Sequence, residues 1–124
     1  MPRFSHGRRD LRAQVAHELR SLGGTQDEVA QRLEAAGVRG RPGNIGTCAL
    51  AVYLSAVIGG DARVHTVLVG HEHVFITLEG WEGCVGVPLP KVLGGFVFDF
   101  DRWRYPTLVR PPGEVVRKPE HAAA

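Results

Sequence analysis

Cys48 stands where a glycine-rich stretch, Gly43-Asn44-Ile45-Gly46-Thr47, meets a run with almost no polar residues, Ala49 to Leu54. A thiol at the start of a helix lies in the positive field of the helix end, which favours thiolate. A cysteine nucleophile also needs a base within hydrogen-bond reach and a third group to orient that base. His73 opens a later strand-like segment, and Asp99 lies further on. Together, Cys48, His73 and Asp99 could carry acyl transfer or hydrolysis. The alternation of the strand opposes this set. Val74, Ile76 and Leu78 share one face, so His73 points away from a cysteine packed beneath them. The plainer reading is a small buried cysteine. Burial raises a thiol pKa by up to several units, whereas a helix end is worth about 0.3–1 kcal/mol. Cys48 is therefore expected to be structural and mostly unreactive.

Three further groupings invite a chemical reading. His65, His71 and His73 crowd one hairpin, and imidazoles bind transition metals. No cysteine or carboxylate spacing supports them, so neither a metal nor another cofactor is expected. Trp81, Arg102, Trp103, Arg104 and Tyr105 lie in or beside turns. Aromatic and arginine side chains there can anchor a partner or plug the ends of a small core. Arg39, Arg41 and Arg63 could contact phosphates, and residues 25 to 40 have the pattern of the first helix of a helix-turn-helix. That motif requires a short turn and a polar recognition helix. Here the connection holds four glycines and the next helix has no side chains to read bases, so nucleic acid is not the expected partner.

The elements that must place these residues follow from periodicity. Leu11, Val15, Leu19 and Leu22 make a helical stripe over residues 10 to 22. Thr25 caps a second helix, with Glu28 three residues on as in a capping box. Its inner stripe is Val29, Ala30, Leu33 and Ala36, and Gly37 suits the position after its end. A third helix runs from about 48 to 58, capped by Thr47. Leu50, Ala51, Val52, Leu54, Val57 and Ile58 wrap most of its circumference, which predicts a central, buried helix with Leu50, Leu54 and Val57 enclosed. Strands are expected at 63 to 69, 73 to 79 and 84 to 87, the first two as a hairpin. Residues 89 to 103 read two ways. As a strand, Phe96, Phe98 and Phe100 alternate with Val97, Asp99 and Asp101. As a helix, Leu93, Phe96, Val97, Phe100 and Trp103 line one stripe, which is favoured although Gly94-Gly95 costs a helix about 2 kcal/mol.

The predicted fold is α+β: two amphipathic helices, a buried helix, a small antiparallel sheet and a closing helix. With 124 residues the chain suits one domain over residues 1 to 112, with residues 1 to 8 frayed and 113 to 124 a disordered tail. A formal charge of +2 is too small to indicate nucleic acid. Two cysteines and a polar, arginine-rich start suit a reducing cytoplasm. No apolar run approaches the roughly 18 residues of a membrane span.

Cys48-Ala49-Leu50-Ala51-Val52-Tyr53-Leu54 after a glycine-rich loop, then Leu89-Pro90, Leu93, Phe96-Val97, Phe100-Asp101 and Tyr105-Pro106-Thr107-Leu108, resembles a pattern of short, uncharacterised actinobacterial proteins. In that group proline usually stands where this chain has Ala49. The resemblance implies the helical form of 89 to 103 and no activity. The order Cys48, His73, Asp99 more loosely resembles papain-like and transglutaminase-like enzymes. Together these readings predict a small cytoplasmic binding or accessory protein with a protein or small-molecule partner, and not a membrane protein. The alternatives are a cysteine hydrolase or acyl transferase, and a weak nucleic-acid binder.

Overall fold

A computed structural model of the chain describes residues 7–81 and 83–111. The start expected to fray (residues 1 to 6 of it), the tail from 113 and the side chain of Trp81 lie outside the described residues. Four helices and a three-stranded antiparallel sheet make an α+β fold, as the periodicity predicts. Helix α1 is Gly7–Ser21 and buries Leu11, Val15 and Leu19 on one stripe. It begins three residues before the apolar pattern does, because a first turn needs no buried side chain.

Helix α2 is Gln26–Ala35 and starts as a capped element. Thr25 Oγ1 accepts from the Glu28 amide at 3.1 Å, and Glu28 Oε1 accepts from Gly24 N at 2.8 Å. The reciprocal bond thus lands one residue before the cap. At the other end Val38 N donates to Leu33 O and Gly37 N to Glu34 O, both 3.0 Å, with Gly37 at φ +75°. This is a Schellman end, and buried Val38 is its apolar clasp. Ala36 is exposed and drops out of the expected stripe.

Helix α3 is Ala49–Ile58. Cys48, not Thr47, is its N-cap, in extended conformation. Asn44 explains the shift: its carbonyl accepts from Cys48 N at 2.9 Å and its Oδ1 from Thr47 N at 3.1 Å, which holds Thr47 in the preceding turn. Leu50 and Leu54 are fully buried, but Val57 is 37% exposed. An apolar circumference does not ensure neighbours on every side. Here α1, α2 and the sheet cover only part of α3.

Strands β1 (Val64–Val69), β2 (His73–Leu78) and β3 (Cys84–Pro88) form a meander in that order. Val67, Val69, Val74, Ile76, Val85 and Val87 face inward and are buried. The inner face packs on α1 through β3 and on α3 through β1. The register slips between Val64 and Thr66, a bulge that carries His65.

Helix α4 is Lys91–Asp101. Leu93, Phe96, Val97 and Phe100 are its buried stripe, and Trp103 lies beyond its end, 59% exposed, at φ +64°. Its two glycines are explained by close approach. A Cβ on Gly94 would lie 2.6 Å from His71 O, and one on Gly95 would lie 2.6 Å from Gln26 Nε2. The hairpin tip and the start of α2 thus grip α4 from two sides. Among the described residues, no helix is long and apolar enough to cross a membrane.

Candidate functional site

Residues 40 to 47 form a tight loop, a roof over the start of α3, that leads directly into Cys48. Gly40 rests directly on the start of α3: a Cβ there would be 2.4 Å from Ala49 N and 2.5 Å from Thr47 O. Gly40 N donates to Leu108 O, and Arg110 N donates to Gly40 O, each at 2.8 Å. Arg41 N to Thr47 O, at 2.8 Å, closes the roof on itself, and two more bonds of 2.8 Å hold it down: Val69 N to Ile45 O, and Gly43 N to Asp101 Oδ1. Cys48, at the end of this loop, is 2% exposed.

Burial is the largest influence on that thiol and pushes its pKa up to about 11. The amides of Ala51, Leu50 and Cys48 itself favour thiolate, and the Asp101 carboxylate opposes it. No side-chain cap bond of good geometry forms, so the amide contribution is that of partial charges facing sulfur. Desolvation outweighs the helix end, because neither water nor an imidazolium compensates a buried negative charge.

The three residues of the alternative, catalytic reading occupy different surroundings. His73 is exposed on the outer face of β2 and stacks on Phe75, with ring centroids 5.8 Å apart. Asp99 is half-buried on the side of α4 that faces Tyr105, whose pKa it raises after the larger effect of burial. No hydrogen bond among the described residues joins any two of Cys48, His73 and Asp99.

The structure brings a different pair together. Asp101 Oδ2 lies 2.9 Å from His71 Nε2, while its Oδ1 accepts from the roof at Gly43. Gly94, Phe98 and Asp101 follow one face of α4, spaced four and three residues apart. The hairpin tip lies across that face, with the His71 ring edge-on to Phe98 at 5.8 Å. The i, i+4, i+7 spacing from Gly94 was a signal that could have singled out Asp101. What it could not supply was the hairpin as the opposing surface.

The three histidines do not converge. His65 Nδ1 is 3.2 Å from Glu79 Oε2 at the open end of the hairpin, His71 is at the tip, and His73 is on Phe75. Among the described residues, no group of three or more His, Cys, Asp or Glu side chains is arranged to hold a metal ion. Of the partner candidates, Arg102 is exposed with its guanidinium 5.2 Å from the Phe98 ring centre, and Trp103 and Arg104 are exposed. Tyr105 faces inward: its hydroxyl donates to Gln26 Oε1 at 3.0 Å and its ring lies 4.9 Å from Phe96. Comparison of the chain with protein-family models, curated proteins and solved structures finds no match.

Proposed function

We propose that this chain is a small cytoplasmic binding or accessory protein that does not use Cys48 in catalysis. The observation that carries this reading is the roof: a nucleophile must meet substrate, and Cys48 is 2% exposed beneath a loop pinned from several elements. The exposed side chains Phe98, Arg102 and Trp103 at the end of α4 supply the aromatic and arginine chemistry that partner surfaces favour. The resemblance to short actinobacterial proteins belongs to the same proposal and adds no activity to it.

A hydrolase remains the second reading, because the His71–Asp101 pair adjoins the same roof. In that reading His71 and Asp101 replace His73 and Asp99 as base and orienter, and Asp101 is the carboxylate whose charge reaches the Cys48 thiol. Iodoacetamide alkylation of the folded chain, followed against pH by mass spectrometry, separates the two. Slow labelling of Cys48 with an apparent pKa above about 8.5, the free thiol value, supports the binding protein. Rapid labelling with an apparent pKa below about 7, lost in a folded His71→Ala variant, overturns it in favour of the hydrolase.

A further inference from the structure

The outer face of the sheet holds an open cavity of about 680 Å³ at the end of the hairpin remote from His71. That volume falls within the roughly 300–1,000 Å³ range of small-molecule sites. His65, Thr66, Thr77, Glu79 and Cys84 line it. Strand register assembles this set. Thr66 pairs with Thr77, and Thr77 with Cys84, so three polar side chains cross the face in a row. The bulge then turns His65 outward next to Thr66, breaking the alternation so that both are exposed. Glu79 follows Thr77 by two residues and meets His65 Nδ1 at 3.2 Å.

Each group offers something definite. Glu79 accepts from an ammonium group, and His65 as imidazolium, with Nδ1–H on Glu79, donates its Nε2–H to a carboxylate. Thr66 and Thr77 hydroxyls bond to each other, and the Thr66 amide donates to Thr77 Oγ1 at 3.0 Å. One hydroxyl hydrogen of the pair is left for a ligand. Cys84 is exposed and free. Its sulfur makes no hydrogen bond to an imidazole among the described residues. Exchange with a disulfide needs only an accessible thiolate and a sulfur to attack, whereas acyl transfer needs a base as well.

We propose that this cavity binds a zwitterionic, peptide-sized disulfide and that Cys84 exchanges with it. Glu79 takes the ammonium end and His65 a carboxylate. Cys84 Sγ, as thiolate, attacks one ligand sulfur. The ligand S–S bond breaks, a Cys84–ligand S–S bond forms, and the departing thiolate takes up the proton that Cys84 released. One disulfide is consumed and one is made, so no external oxidant is required. This deepens the reading of a binding protein but stands on other residues: Cys48 alkylation tests that reading, and Cys84 exchange tests this one.

The test incubates the full chain with oxidised glutathione and, separately, with hydroxyethyl disulfide, which has the same reactive bond and no charges. Intact mass and peptide mapping follow the adduct. The expected result is a rate at Cys84 that saturates with oxidised glutathione but stays linear with hydroxyethyl disulfide. Glu79→Gln or His65→Gln should slow the glutathione reaction about tenfold, the worth of one charge-assisted hydrogen bond, and leave the other reaction unchanged. Linear rates with both disulfides, or variants that slow both equally or neither, would overturn the proposal. Should either variant misfold, S-hexylglutathione, which cannot exchange, must still protect Cys84 of the unaltered chain from iodoacetamide. Absence of protection would refute the site.

Discussion

Between about pH 9 and pH 11 the Cys48 thiol imposes a slope on the stability of the fold. The unfolded chain releases this proton near the ordinary 9.0, and the folded chain near about 11. Below that window both states hold the proton and stability from this source is complete. As pH rises through it the unfolded chain ionises first, and stability falls by about 2–3 kcal/mol. Cys48→Ala removes the slope. Urea denaturation of both proteins at about pH 8 and about pH 10.5 should show the difference between them shrinking by that order. A difference independent of pH would mean that the thiol is not shielded. The reactive type of residue was readable here, and so was the competition between burial and helix end. Asp101 was not, because its two partners, His71 and Gly43, lie 30 and 58 residues away in the chain, and periodicity names a face without naming what covers it.

At the scale of elements, the glycines of α4 separate local propensity from packing. Propensity alone says that Gly94→Ala should stabilise a helix by about 1 kcal/mol. The Cβ would meet backbone, His71 O at 2.6 Å, which cannot swing aside as a side-chain tip can. The expected outcome is a net loss of about 1–3 kcal/mol in thermal or urea denaturation. Gly60→Ala is the control, since nothing lies within 4 Å of its Cβ, and it should be neutral or stabilising by about 0.4–1 kcal/mol. An equal effect at both positions would remove the hairpin tip from α4. The helix over 91 to 101 was legible because its buried stripe has four members, Leu93, Phe96, Val97 and Phe100. Trp103 matched the same spacing and misled, because the helix ends at Asp101, short of it. Val57 misled for the opposite reason: its apolar side chain predicts burial, yet it is 37% exposed.

Across the whole molecule, the segment after α4 closes the fold on itself. Leu108, in a short turn at Pro106–Leu108, is 1% exposed. Its carbonyl receives Gly40 N, Arg110 N reaches Gly40 O, and Gly40 pairs in parallel with Val109. Leu108→Ala should therefore cost about 2–5 kcal/mol, the range of a core leucine, although it lies beyond the last regular helix. A midpoint of denaturation unchanged by that substitution would show the strap to be dispensable. The α+β class was readable from the order of periodic segments. This long-range closure was not, because a single bridge between residues 40 and 109 leaves no pattern in either segment.

The roof at the start of α3 is tied by isolated backbone bonds and one bond to the Asp101 carboxylate, not by a ladder or a helix, and such regions open at free energies below that of global unfolding. A thiol reagent can react with Cys48 only during those openings. Its labelling rate is then the intrinsic thiol rate multiplied by the opening equilibrium constant, so the sulfur works as a gauge for one local excursion. Low concentrations of urea identify that excursion. Lifting the roof alone exposes little surface and gives a shallow dependence of labelling on urea, whereas release of the whole core gives the full slope of global denaturation. The same buried cysteine that argues against catalysis thus reports how often the loop from Gly40 to Thr47 leaves its seat.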